Sequence, residues 1–225
     1  MKTPYETSYK LACDEFSKLN LEEVAFNSSA RLEGDIIYID FLGETFMVKD
    51  GGEEITTSSP PEADLPQAQG SKNKTASEGR EVKINEKILL LHYLITADGT
   101  APAREEVTLE NIPGASFYYP TYKARSIDLI VNKFIKFSSE FIAAAGKIGF
   151  NITETTNRFS RLKSLVLPNV SVSFILWKDT SGDLVLDNEL LKITYDAGII
   201  HYLPLEDIII LTELVCHKII KSDYF

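Results

Sequence analysis

The C-terminal segment, residues 204–221, constrains the fold most, because it predicts one long helix that is apolar on most sides. Pro204 can open this helix, and Glu206 and Asp207 fall in its first turn, where the helix dipole stabilises negative charge. Aliphatic side chains follow on most faces, with Leu214 among them. Such a helix must lie inside a fold. We therefore expect the rest of the chain to surround it, and we expect Leu214→Asp to unfold the protein.

Periodic apolar residues predict the elements around this helix. Spacings of three and four predict helices over residues 5–19 and 126–145, and the acidic pair Glu22–Glu23 predicts a short helical turn through residue 26. The long apolar run over residues 84–95 predicts a buried helix, with a central strand as the alternative. Alternating β-branched and aromatic residues predict strands over residues 35–41, 45–48, 54–57, 105–109, 170–177 and 190–195. Helices and strands alternate irregularly, without a repeating βαβ rhythm. The sequence therefore predicts an α+β fold, a single domain in which a mostly antiparallel sheet packs against helices.

Residues 58–80 separate the two parts of the predicted domain. Residues 1–57 form an N-terminal helix plus a β-meander, and residues 81–225 form the main α+β portion. The segment between them is rich in Pro, Gly, Ser and other polar residues, and Leu65 is its only large aliphatic residue. We interpret it as a flexible insertion or linker whose deletion leaves stability nearly unchanged. A lid or a partner-docking arm is the alternative.

Charge and composition exclude several classes of function. Lys and Arg number 23 against 33 for Asp and Glu, which gives a net charge of −10. Nucleic acids and anionic membranes both attract basic surfaces, so neither is an expected partner. The chain has no apolar run of the roughly 20 residues that span a bilayer. Its first residues do not resemble a secretory signal, so we expect a cytoplasmic protein.

No motif for a known reaction or a metal cluster stands out. Glycine patterns for dinucleotide or P-loop binding and the nucleophile elbow are all missing. The two cysteines, Cys13 and Cys216, are too few for a four-thiolate site, and both fall on apolar helix positions typical of buried thiols. Asp179, Asp183 and Asp187 lack the alternate spacing of a calcium loop, so we interpret them as part of a solvated hairpin turn.

The histidines are the main candidates for metal binding and for acid–base chemistry. His201 precedes Pro204 and the acidic first turn of the last helix, so it is a candidate metal or tetrapyrrole ligand or a general base. The alternative is a purely structural corner. His92 is a second candidate ligand, although a core histidine that donates to a backbone carbonyl is favoured there. His217 falls in the last turns of the helix and can favour the negative end of its dipole.

An aromatic cluster supplies the other candidate binding residues. Tyr118 and Tyr119 lie in sequence between Phe117 and Tyr122. Such a cluster can line a ligand pocket, since pockets are mostly apolar with a few polar groups. Aromatic residues dominate ordinary cores as well, and core packing is the favoured alternative.

Several stretches together resemble the Domain of Unknown Function 3786 family. They are residues 91–100 (LHYLITADGT), 112–114 (IPG), 117–120 (FYYP), 176–177 (LW) and 201–207 (HYLPLED). The stretch at 201–207 is the most specific, and the resemblance covers nearly the whole chain. The aliphatic residues 184–186 depart from the Phe-Pro pair expected after Trp177, and residues 58–80 resemble an insertion relative to the family.

The resemblance implies a metabolic context but no specific reaction. Similar proteins occur in anaerobic bacteria and archaea, sometimes fused to a cysteine-rich iron–sulfur module, and are associated with corrinoid-dependent methyl transfer. This chain has too few cysteines for that module, so cluster binding is not carried over. The resemblance transfers no catalytic residue.

Three functional hypotheses follow from these observations. The favoured one is a non-catalytic binding or accessory protein of anaerobic one-carbon or corrinoid-linked metabolism, with a corrinoid protein or a methyltransferase as partner. The second is a tetrapyrrole- or metal-binding protein that uses His201 or His92, with Tyr118 and Tyr119 near the ligand. The third is a hydrolase or transferase with acid–base groups among Asp98, His201, Glu206 and Asp207, which requires that these side chains converge.

Overall fold

The computed structural model describes residues 3–57, 80–134, 137–179, 181–187 and 191–223. Its α-helices are α1 (Pro4–Phe16), α2 (Leu21–Ser28), α3 (Ile84–Thr96), α4 (Tyr119–Arg125), α5 (Ile127–Phe134), α6 (Ser138–Lys147) and α7 (Leu205–Ser222). Its strands are β1 (Arg31–Glu33), β2 (Ile36–Phe41), β3 (Glu44–Lys49), β4 (Glu54–Thr57), β5 (Glu106–Thr108), β6 (Asn151–Thr155), β7 (Phe159–Leu167), β8 (Val170–Lys178), β9 (Leu184–Val185) and β10 (Lys192–Asp196).

These strands form two antiparallel sheets. The first is a meander in the order β1-β2-β3-β4. The second has the order β5-β10-β8-β7-β6, with β9 paired to β8. Helices pack with both sheets around one continuous apolar cluster that draws residues from both parts of the chain. The predicted α+β fold is therefore confirmed.

The N-terminal part is held against the rest of the fold by close contacts. Tyr9 on α1 donates its hydroxyl hydrogen to the carbonyl oxygen of Gly52, in the turn before β4. Gly52 has a φ of +90°, and a Cβ atom there would lie 2.7 Å from the side chain of Leu91 on α3. The backbone N–H of Leu42 donates to the carbonyl oxygen of Val166 at 3.0 Å, which joins the two sheets. The meander is thus part of one packed unit.

Helix α7 is embedded as expected. Leu211, Val215 and Ile219 are fully buried on its inner side. Thr212 is also on this side. Its hydroxyl oxygen lies 2.6 Å from that of Tyr195, and the Thr212 hydroxyl donates to the carbonyl oxygen of Ile208 at 2.8 Å. These bonds satisfy polar atoms that water cannot reach.

One stripe of α7 remains accessible, which corrects the expectation for Leu214. Ile210 and Leu214 are half-buried, and His217 and Lys221 are exposed. These residues follow one another at helical spacing and form a single face. Leu214 therefore lies at the edge of the core, and a carboxylate at this position would reach water.

The predicted helix over residues 126–145 is wrong as a single element. Helix α5 ends at Phe134 and α6 begins at Ser138. Phe137 has φ −135° and ψ 57°, which is not helical, and it is 53% exposed. The break still allows Phe134 and Phe141 to meet edge to face with ring centroids 5.7 Å apart.

The structure also contains elements that the sequence pattern did not predict. Strands β6 and β7 form a hairpin, and every residue of β6 is exposed, so it carries no apolar alternation. Helix α4 includes Tyr119 and Tyr122 of the aromatic cluster. Tyr122 is buried, whereas Phe117, which precedes the helix, is exposed.

The predicted insertion lies almost entirely outside the described residues. Its last residue, Arg80, is described and is firmly bound. Its guanidinium lies 2.6 Å from a carboxylate oxygen of Glu44 and 2.8 Å from one of Glu86. Deletion of residues 58–80 would therefore also remove these two ion pairs. In the described part of the chain, no helix is both long enough and apolar enough to cross a membrane.

Candidate functional site

The first turn of α7 and the corner before it form the candidate site. Asp196 at the end of β10 accepts a hydrogen bond from the backbone N–H of Gly198 at 2.8 Å and so starts a short 3-10 helix, Ala197–His201. Pro204 is extended, with φ −56° and ψ 155°, and caps α7. This corner places His201 just outside the helix and Glu206 and Asp207 in its first turn, as the sequence predicted.

His201 is held by Asp98, the residue that follows α3 and Ala97. The Nδ1 atom of His201 lies 2.8 Å from the Oδ2 atom of Asp98, and the Asp98 backbone N–H donates to the carbonyl oxygen of His201 at 3.3 Å. Hydrogen bonds from Thr100 and then from His201 lower the pKa of Asp98 to about 2. Since Asp98 is a carboxylate at neutral pH, Nδ1 must be the donor. The other ring nitrogen, Nε2, then carries the free lone pair of the neutral imidazole.

His92 is held by Asp207, which corrects the expectation that it donates to a backbone carbonyl. The Nδ1 atom of His92 lies 2.6 Å from the Oδ2 atom of Asp207, whose side chain is only 7% exposed. The hydrogen bond to Asp207 raises the pKa of His92, although partial burial acts in the opposite direction. This pair joins α3 to the first turn of α7.

Tyr118 is hydrogen-bonded to Glu206, whereas Tyr119 lies outside the candidate site. The hydroxyl of Tyr118 donates to the Oε1 atom of Glu206 at 2.7 Å. This hydrogen bond raises the pKa of Tyr118 and lowers the pKa of Glu206. Tyr119 instead packs on Tyr122, with ring centroids 6.0 Å apart, and lines a small cavity beside Glu110.

The start of α7 thus gathers three of the four predicted binding residues, each paired with a carboxylate. His92, Tyr118 and His201 are brought there, and Tyr119 is not. Of the four acid–base candidates, Asp98 and His201 are hydrogen-bonded to each other, whereas Glu206 is paired with Tyr118 and Asp207 with His92, so the four do not form one set.

No described group of three or more His, Cys, Asp and Glu side chains is arranged to hold a metal ion. Cys13 and Cys216 are both buried, as predicted. Burial raises the pKa of both thiols, so neither is a thiolate at neutral pH. A bare metal ion therefore finds no ligand cage in the part of the chain that the structure describes.

Sequence analysis missed a second set of charged residues, which lies on the accessible stripe of α7. Lys83 and Lys221 lie together in a groove beside Leu214. The signal available in the sequence was the interruption of the apolar pattern by His217 and Lys221. No sequence pattern indicates that Lys83 lies in the same groove.

Fold and site together define an α+β protein in which two histidines, His92 and His201, are oriented by carboxylates at the start of a buried C-terminal helix. The family model described as Domain of unknown function (DUF3786) matches residues 20–218. The chain belongs to this family, as its sequence resemblance indicated. No curated protein and no solved structure matches the chain.

Proposed function

We propose that the protein is a non-catalytic binding or accessory protein of anaerobic one-carbon or corrinoid-linked metabolism, and that His201 is its single ligand to the metal of a tetrapyrrole. The observation that carries this proposal is the Asp98–His201 pair. Its Nδ1–Oδ2 distance of 2.8 Å fixes both the tautomer and the orientation of the ring. Carboxylates commonly orient metal-binding histidines in this way.

The surroundings of His201 fit a planar cofactor better than a bare ion. A tetrapyrrole supplies four ligands to its metal, so the protein needs to add only one nitrogen. A bare ion needs three or four protein ligands, and the described residues offer no such group. The His201 side chain is 40% exposed, and its neighbour Ile200 is also exposed and offers an apolar contact. A large flat ligand can therefore approach the imidazole.

His92 is the weaker candidate ligand. Its Nδ1 atom is bound to the buried carboxylate of Asp207, and its ring is more enclosed than that of His201. The raised pKa of His92 also favours the imidazolium form, which has no lone pair for a metal. His201 is therefore the residue to test first.

Absorption spectroscopy tests the cofactor proposal. The purified protein is titrated with hydroxocobalamin and, separately, with haemin. We expect a shift of the cofactor's visible bands that is lost in His201→Ala and weakened in Asp98→Ala, since the ring then loses its fixed orientation. His217→Gln is the matched control, because His217 is an exposed histidine near the far end of α7. No shift with either cofactor, or an unchanged shift in His201→Ala, would refute the proposal.

The proposed partner is a corrinoid protein or a methyltransferase. The net charge of −10 supports a partner with a basic docking surface, because complementary charge favours association. A pull-down from an anaerobic lysate, with the wild-type protein and His201→Ala as parallel baits, tests this. Recovery of either kind of partner by the wild type is expected. Recovery of neither contradicts the accessory role.

The hydrolase or transferase alternative stays a hypothesis. Asp98, Glu206 and Asp207 each hold a different side chain of the protein itself by a hydrogen bond. A general acid or base needs a substrate atom within hydrogen-bonding reach. Tight pairing does not favour that role, and the binding interpretation remains the better supported one.

A further inference from the structure

The accessible stripe of α7 forms one wall of a groove with its own chemistry. Two cavities of about 500 and 260 Å³ meet along this wall. The residues common to both are Lys83, Leu214, His217 and Lys221. We call these four residues and the two cavities they join the α7 groove. The larger cavity lies within the range of roughly 300–1,000 Å³ that is typical of small-molecule sites.

Three carboxylates line the larger cavity, and two of them, Glu44 and Glu86, are neutralised by cations of the protein, whereas Glu81 is exposed to solvent. Glu44 accepts hydrogen bonds from Arg80 at 2.6 Å and from Lys218 at 2.7 Å. These bonds lower the pKa of Glu44 even though its partial burial acts to raise it. Glu86 accepts from the Arg80 guanidinium at 2.8 and 2.9 Å and from the backbone N–H of Lys83 at 3.0 Å. Both acids are therefore occupied by cations or donors of the protein itself.

Lys83 and Lys221, in contrast, line both cavities together. The nearby positive charge of Lys83 lowers the pKa of Lys221, although the carboxylate of Glu86 acts in the opposite direction. Among the described residues, the ion pairs of the groove join Glu44 and Glu86 to Arg80 and Lys218, and Glu213 to Arg125, and none includes Lys83 or Lys221. Two ammonium groups in contact repel each other unless an anion lies between them. In a protein with a net charge of −10, this concentration of positive charge is a local exception.

Apolar side chains lie next to this positive pair. Leu42, Ile148 and Leu214 line the larger cavity together with Lys83 and Lys221. A ligand in the groove would therefore meet a charged end and an apolar surface. An organic anion therefore matches the groove better than an inorganic ion, because an inorganic ion would leave the apolar surface exposed to water.

We propose that the α7 groove binds a small organic anion whose phosphate or carboxylate group lies between Lys83 and Lys221 and whose apolar body packs on Leu42, Ile148 and Leu214. Lysine ammonium groups bind phosphates and carboxylates as point charges. Lys221 is about 20 Å along α7 from Asp207, at a rise of about 1.5 Å per residue. The site is therefore separate from the His201 corner and does not depend on the proposed function.

Isothermal titration calorimetry with octyl phosphate and octanoate tests this proposal. We expect both probes to bind, and we expect the double variant Lys83→Gln/Lys221→Gln to lose at least tenfold in affinity. Octanol has the apolar chain without the charge, and inorganic phosphate has the charge without the apolar chain. Both should therefore bind at least tenfold more weakly than octyl phosphate. Lys18→Gln is the matched control because Lys18 is an exposed lysine on a different part of the surface.

Thermal melting provides a second and independent readout. Removal of one ammonium relieves the repulsion, so Lys83→Gln and Lys221→Gln should melt at or above the wild-type temperature. Octyl phosphate should raise the melting temperature of the wild type and of His201→Ala, but not that of the double variant. Absence of binding by both anionic probes, equal affinity in the double variant, or a clear loss of stability in both single variants would overturn the proposal.

Discussion

The Nδ1 atom of His92 lies 2.6 Å from the Oδ2 atom of Asp207, and this contact connects the middle of α3 to the first turn of α7. The Asp207 side chain is almost fully buried. A buried carboxylate is stable only when its charge is paired or hydrogen-bonded. The pair therefore fixes the start of α7, from which Glu206 and Pro204 position the rest of the candidate site.

We predict that His92→Ala lowers the free energy of unfolding by about 2 kcal/mol, because Asp207 loses a charge-assisted hydrogen bond. Urea denaturation measures this change. A double-mutant cycle with Asp207→Ala isolates the pair from other effects of each substitution. If the two single substitutions are additive in the double variant, His92 and Asp207 do not stabilise each other.

The same pair predicts a dependence of stability on pH. The folded protein raises the pKa of His92 above its usual value of 6.5, so the unfolded state releases this proton first as the pH rises. The stabilisation is complete below pH 6.5 and is lost as the pH rises through the raised pKa. Urea midpoints measured from pH 6 upwards should therefore fall in the wild type and fall less in His92→Gln. Parallel pH profiles would contradict the prediction.

Two leucines one turn apart on α7 should differ in their contribution to stability. Leu211 is fully buried, so Leu211→Ala should cost about 3 kcal/mol. Leu214 is half-buried in the α7 groove, so Leu214→Ala should cost about 1 kcal/mol. Chemical denaturation of both variants tests the burial pattern. Equal losses would mean that the accessible stripe of α7 is packed against something.

Gly52 and Gly34 form a matched pair for testing how the meander docks. Both have positive φ values, +90° and +59°, but only at Gly52 would a Cβ atom meet a neighbour, the Leu91 side chain at 2.7 Å. Gly34→Ala should cost about 1 kcal/mol through backbone strain alone. Gly52→Ala should cost at least about 2 kcal/mol because the clash with Leu91 is added. Similar melting temperatures for the two variants would refute close packing of this turn on α3.

Local patterns were sufficient to predict α7 and three of the four strands of the meander, and they favoured a helix over a strand for α3, while β1 was missed. A long apolar segment that begins with Pro204 and two acidic residues leaves few alternatives to a buried helix. Strand β6 could not be found in this way, because all of its residues are exposed and its stability depends on pairing with β7. The break at Phe137 was missed for a related reason, since tertiary packing interrupts a helix that the periodicity favours.

The candidate site could be predicted residue by residue but not as pairs. His201, His92 and Tyr118 were identified from their positions, yet their partners lie 103, 115 and 88 residues away in sequence. Only the packing of α3 against α7 decides that Asp98 meets His201 while Asp207 meets His92. The groove that contains Lys83 and Lys221 could not be predicted for the same reason, because the two lysines are close together only in the folded chain.

Arg80 gives the α7 groove a property that none of its other residues has. Its one guanidinium occupies Glu44 and Glu86 at the same time. If Arg80 is withdrawn, Glu86 is free to turn to the neighbouring Lys83 and Lys221, and the protein then supplies its own competing anion. Arg80, which need not touch the ligand, would thus determine whether the two lysines are available to it, and in Arg80→Ala the Glu86 carboxylate would act as an intramolecular competitor of the ligand.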